Sequence, residues 1–120
     1  QRSSLIRDAA YSITQHIAFL VTAGSEAEAE TLAKALAEEH LAACVNIISP
    51  IRSFYRWQVR IAEDREWLLV IKTQAAGFDA LATRVHTLHS YEVPEVIALP
   101  ILAGAQGCLA WIQQETRGQD

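Results

Sequence analysis

Cys44 follows two alanines at the start of a strand-like segment, and a thiol there could serve as a nucleophile. It would need a neighbouring base or cation to become a thiolate, and no motif around it supplies one. Cysteine is also among the most buried residue types, so a small core residue is the competing assignment. The second cysteine, Cys108, is far away and forms no CxxC pair with it. That is neither a disulfide framework nor a zinc signature. Lys72 ends an apolar segment, where an ammonium is costly unless paired, and Glu92 or Glu95 could pair with it. Cys44 and the Lys72–Glu92 neighbourhood are therefore where an enzyme would do its work. No titratable pair stands at a recognised catalytic spacing, so the expectation is a protein without catalytic chemistry. Arg52, Arg56 and Arg60 form a basic stripe. A nucleic-acid surface would interleave aromatics on the same face, yet Tyr55 and Trp57 alternate to the other. The formal net charge of −4 points the same way, so no nucleic-acid partner is expected.

These groups must be held by the elements around them. Ile17–Val21 is a short apolar run of strand formers. Ser25 with Glu28 three positions on has the form of a capping box, and Leu32, Ala33 and Leu36 continue at helical spacing to about His40. Residues 41–48 turn back into a strand, which Pro50 should interrupt or bend. Beyond it, Tyr55, Trp57, Val59 and Ile61 alternate with Arg52, Arg56, Gln58 and Arg60. Glu63-Asp64 suits a turn, and Trp67–Ile71 returns, so 53–73 reads as a long hairpin. Phe78, Leu81, Ala82, Val85 and Leu88 mark a second amphipathic helix, with His86 and His89 at its end, where imidazoles complement the helix dipole. Val96–Leu99 is the last strand; Gly104 and Gly107 form a loop, and Leu109, Trp111 and Ile112 fall on a short C-terminal helix. The order is that of an α+β, ferredoxin-like βαββαβ sandwich.

The chain has 120 residues, 51% of them hydrophobic and 20% charged, which fits one globular domain and excludes a disordered chain. No apolar run is long enough for a membrane span, so no membrane partner is expected. The apolar surplus sits on strands that do not alternate. Two helices cover one sheet face, so a second copy packing on the other is the economical solution, with the long hairpin reaching to a neighbour. A monomer with an apolar surface is the alternative. The chain contains no methionine, which suggests a start within a longer product or after processing. We expect an N-terminal extension over 1–15, the domain over 16–115 and a tail over 116–120. The expected compartment is the cytoplasm, or an organelle if a targeting segment has been removed.

Five fragments, in this order and spacing, resemble the CutA family of divalent-cation tolerance proteins: LAACVN at 41–46, Tyr55-Arg56-Trp57, Lys72-Thr73, YEVPEVIALPI at 91–101, and LAWI at 109–112. The resemblance implies a tight homotrimer of ferredoxin-like subunits, similar to the PII signalling proteins, which bind nucleotides at subunit clefts. It implies a role in tolerance of copper or another divalent cation. Cys44, Tyr55, Trp57, Lys72, Tyr91, Glu92 and Glu95 lie in or beside the matching fragments and could line such a cleft, taking a small-molecule or metal ligand for readout by an unidentified protein partner. An interfacial salt bridge that fixes trimer register, or a purely structural assembly hub, is the alternative.

Several positions depart from the family pattern. Ser90 stands where the family often has Pro, Val59 where it usually has Gly, and Ala105 and Cys108 where it usually has Asn and Tyr. The family positions linked to copper fall at Val21, Leu88 and His89, and of these only His89 can coordinate. His86, one turn earlier, is the candidate second ligand, with Glu92 adding an oxygen.

Overall fold

The computed structural model describes residues 15–116; the expected extension and tail lie almost wholly outside them. Among the described residues, four strands form one antiparallel sheet: β1 (His16–Ala23), β2 (Cys44–Trp57), β3 (Arg60–Gln74) and β4 (Val96–Pro100), in the order β2-β3-β1-β4. Three α-helices accompany it: α1 (Glu26–Glu38), α2 (Phe78–Leu88) and α3 (Gln106–Glu115). The fold is mixed α+β. None of these helices is long and apolar enough to cross a membrane.

The core lies between α1, α2 and one face of the sheet. Ile17, Phe19 and Val21 of β1 stand opposite Thr73, Ile71 and Leu69 of β3, and all six are buried. Leu32 and Leu36 of α1 and Leu81 and Val85 of α2 close over them, and Phe19 stacks on Phe78 with centroids 5.1 Å apart. Ser25 caps α1 as expected, its hydroxyl accepting from the Glu28 N–H at 3.1 Å. The other half of the expected capping box is not made to Ser25. The Glu28 carboxylate reaches back to the Gly24 N–H at 3.4 Å and across to the Ser90 N–H at 2.6 Å.

The opposite face is apolar too. Leu20 stands between Val70 and Ile97, with Ala18 opposite Leu99 and Ile48 opposite Leu68. Leu20, Leu68 and Val70 are only half-buried, and Ile48, Ile97 and Leu99 are 46–48% exposed.

The hairpin departs from expectation in one respect. Its turn is Gln58-Val59, not Glu63-Asp64, which lie within β3. Gln58 has φ 50° and Val59 φ 61°, the pair of positive values that a two-residue type I′ turn requires. Trp57 therefore pairs directly with Arg60, and Arg56 with Ile61. The expected faces are exchanged beyond the turn: Arg60 joins Tyr55 and Trp57, Ile61 joins Arg56, and the three-arginine stripe does not form. Val59 is β-branched and 96% exposed in a conformation it resists. Val59→Gly is expected to raise stability by about 1 kcal/mol, checked by denaturant unfolding.

β2 continues through Pro50 with a register shift between Ile48 and Ile51, which is the expected bend. From Ile51–Glu66 to Trp57–Arg60 the two strands pair only with each other, because β1 stops at Trp67. This two-stranded arm extends about 20 Å beyond the sheet. Gly107 lies in the first turn of α3 rather than in a loop. α3 packs against the Gln74 end of β3, where the Gln74 amide donates to the Thr116 hydroxyl at 2.7 Å.

Candidate functional site

Where the arm leaves the sheet, it and the segment after α2 enclose an open groove of about 890 Å³. Tyr55 and Trp57 come from β2, Glu66 from β3, and Tyr91, Glu92 and Glu95 from the chain entering β4. Five of the seven expected cleft residues therefore meet in one place. Cys44 and Lys72 do not join them. They are cross-strand partners at the other end of the sheet, six residues along β3 from Glu66, or about 20 Å. There the Lys72 ammonium donates to the Asn46 amide oxygen, and the Cys44 thiol donates to the same oxygen at 3.5 Å. Asn46 thus takes the role expected of Glu92 or Glu95 within one subunit. An amide oxygen does not act as a general base, so Asn46 does not activate the thiol; the charged neighbour of Cys44 is the Lys72 ammonium.

The segment from His89 to Glu95 is fixed by main-chain and side-chain bonds. α2 ends at Leu88, and His89 has extended backbone angles, which turn its ring inward under β1. His89 is 8% exposed. Its Nε2 lies 2.7 Å from the Thr22 carbonyl, and its Nδ1 lies 3.0 Å from the Tyr91 N–H. A carbonyl only accepts and an N–H only donates, so the tautomer is set: Nε2 donates and Nδ1 accepts. The Tyr91 ring packs on the His89 ring with centroids 4.6 Å apart, and its hydroxyl donates to Glu66 at 3.0 Å. Tyr55 makes the equivalent bond to Asp64.

These bonds set the electrostatics. Burial, reinforced by the hydrogen bond to Glu66 and the carboxylate charge, pushes the Tyr91 phenol up to about 12. The bond to Asp64 raises Tyr55 as well. Both phenols are held protonated, so neither serves as a base near neutral pH. The Tyr91 hydroxyl also lies against Gly24, where an added Cβ would come within 2.9 Å of it. Gly24→Ala is expected to displace the phenol, bring its titration down from about 12 towards 10, and cost about 1–3 kcal/mol. Ultraviolet difference titration and urea unfolding check the two effects.

For Glu28, burial works to raise the pKa, but the bonds from Ser90 and the Gly24 N–H outweigh it and hold the carboxyl below 4.5. A depressed folded-state pKa stabilises the fold above the unfolded value, and that contribution is lost as pH falls through the folded one. Glu28→Gln is therefore expected to be less stable than the parent at neutral pH. The difference should close below pH 4.5, as followed by unfolding at stepped pH.

A resident divalent cation does not fit these residues within one subunit. Both nitrogens of His89 are committed to backbone groups, so the ring has no lone pair to offer. His86 is on the exposed side of α2 and does not pair with it. Among the described residues no three His, Cys, Asp or Glu side chains gather as a metal group. Sequence reasoning missed Glu66, Asp64 and Glu28. Glu66 shares the alternation of Leu68, Val70 and Lys72, which was the available sign that it faces Tyr55.

The chain is similar throughout this region to known proteins. A family described as CutA1 divalent ion tolerance protein matches residues 17–115. The divalent-cation tolerance protein CutA of Thermus thermophilus is 50% identical over 97 residues, 81% of this chain and 94% of that one. Protein CutA of Homo sapiens is 46% identical over 99 residues, 82% of this chain and 55% of that longer one. A solved structure of the Thermus thermophilus divalent cation tolerance protein superposes with a TM-score of 0.83 at 48% identity, covering 84% of this chain and 98% of that one.

Proposed function

The chain belongs to the CutA1 divalent ion tolerance family, and on that premise we propose that it serves metal tolerance as a binding and regulatory protein, a homotrimer with ligand sites at its subunit clefts. The strand order β2-β3-β1-β4, with α1 and α2 over one face, supports a ferredoxin-like subunit. The observation that carries the reading is the uncovered sheet face together with the arm. Leu20, Val70, Ile97 and Leu99 form a continuous apolar surface of a kind monomers rarely expose. A two-stranded ribbon carrying Phe54 and Ile61, each 59% exposed on the face opposite Tyr55 and Trp57, is marginal in water by itself. Both features are satisfied when one copy lays its arm along another's sheet. Three copies is the number that family resemblance implies.

The groove lies at the root of the arm, beside the uncovered face, and so belongs to a cleft between subunits in this arrangement. Its phenols are locked to carboxylates, so binding fits the site better than catalysis. Copper or another divalent cation then acts through the assembly, with a PII-like readout by a partner protein, since the described residues of one subunit hold no built metal centre. The free thiols of Cys44 and Cys108 suit a reducing compartment such as the cytoplasm.

Light scattering is expected to give three times the chain mass at micromolar protein; a monomer would overturn the assembly. Thermal shift against Cu²⁺, Zn²⁺, organic cations, nucleotides and small carboxylates tests ligand binding. A trimer that responds to none of them is a structural hub instead.

A further inference from the structure

We propose that the groove takes an organic cation, a quaternary ammonium or a polyamine, held between aromatic faces and carboxylates. This rests on the cleft reading above and names the ligand class of that same site. Two independent features of the wall point to it. The first is aromatic: Tyr55, Trp57 and Tyr91 all line the groove, each with 36–60% of its surface exposed. Ring faces carry negative potential and attract ammonium groups, most strongly when these shed water between several rings.

The second feature is charge. Glu66, Glu92 and Glu95 line the groove against a single guanidinium, Arg52. Arg52 is already neutralised, its Nε donating to Glu63 at 2.9 Å and its NH2 lying 2.7 Å from the same carboxylate. The phenolic protons of Tyr55 and Tyr91 are likewise committed, to Asp64 and Glu66. An anion entering the groove would therefore meet carboxylates and find the charged and phenolic donors taken. A bare divalent ion would find carboxylate oxygens there, but among the described residues no three such side chains gather closely enough to hold it, and the ring faces between them offer it no ligand. An organic cation matches both: its apolar shell suits the rings, and its charge suits Glu92 and Glu95, which are exposed on the outer wall.

Calorimetry on the intact assembly at low ionic strength tests this with choline, with its uncharged isostere 3,3-dimethyl-1-butanol, with spermidine, and with succinate and ATP as anions. Choline or spermidine is expected to bind, and choline about tenfold or more tighter than the isostere. Trp57→Ala should weaken cation binding by about tenfold. The double change Glu92→Gln with Glu95→Gln should weaken it severalfold and flatten its salt dependence, without disturbing the fold, because both side chains are exposed.

If succinate or ATP binds and the cations do not, the ligand class is wrong; loss of that anion binding in Trp57→Ala would still leave the groove as the ligand site. Cation binding that neither the Trp57 variant nor the double glutamine variant changes would place the ligand elsewhere and overturn the proposal. If no probe binds, the proposal falls, and the ligand-site reading beneath it falls with it only when Cu²⁺ and Zn²⁺ also leave the thermal shift unchanged.

Discussion

Val70→Asp is expected to turn the proposed trimer into a folded monomer. Val70 sits mid-strand on β3, paired with Leu20 on one side and Asn46 on the other, on the face away from α1 and α2. In a lone subunit it is half-buried, so a carboxylate there keeps contact with water and the core behind it is unchanged. In the assembly the same carboxylate would be enclosed by the apolar face of the next copy. Burying an unpaired charge costs several kcal/mol, and a closed ring repeats that cost at each interface. At about 3–5 kcal/mol per interface, association weakens by roughly 10²–10³-fold or more for each contact. Light scattering should report one third of the parent mass at micromolar protein, with the far-ultraviolet circular dichroism retained. A variant that keeps the parent mass would show that copies do not meet through this face.

The apolar pattern that motivates this substitution is plain in the sequence. Ile17–Val21, Trp67–Ile71 and Val96–Leu99 are apolar at successive positions, and the structure puts alternate members of each on the two faces of one sheet. α1 follows from spacing and its Ser25 cap, and α2 from spacing alone, for the same reason: periodicity reports burial directly. The turn of the arm does not. A two-residue I′ turn is marked by Asn, Asp or Gly, and Gln58-Val59 has none of them, so the alternation of Tyr55 and Trp57 runs on without a break to Ile61. Since side chains repeat every two residues, misplacing the turn moved Arg60 and Ile61 to the wrong faces.

The site was legible as a set of residue types more than as a set of contacts. Tyr55, Trp57, Tyr91, Glu92 and Glu95 line one groove, because they flank the two segments that border one end of the sheet. The pairing of Lys72 with Asn46 depends on the β2–β3 register, and that of Tyr91 with Glu66 on how the chain after α2 crosses to β4. Neither is encoded in local spacing. His89 is the sharpest case. At helical spacing from His86 it reads as an end-of-helix imidazole that complements the dipole or pairs with His86 on a metal, yet one extended residue at the helix end swings it under β1.

That inward turn makes His89→Ala the second large effect. The ring bridges the Thr22 carbonyl and the Tyr91 N–H, and it supports the Tyr91 ring from beneath. Removing it strands a buried acceptor and a part-buried donor, each worth about 1–3 kcal/mol, for a total loss of about 2–6 kcal/mol in unfolding at fixed protein concentration. Freed from its support, the Tyr91 phenol should titrate closer to 10 than to its present value of about 12. His89→Gln separates bracing from coordination. A glutamine amide can donate to Thr22 and accept from Tyr91, so it should recover part of both the stability and the phenol shift. A ligand to copper would behave otherwise, because an amide does not replace an imidazole nitrogen on the metal. If His89→Ala keeps the parent stability while losing affinity for Cu²⁺, and glutamine restores neither, then the ring coordinates metal in the assembly and the bracing role assigned to it is wrong.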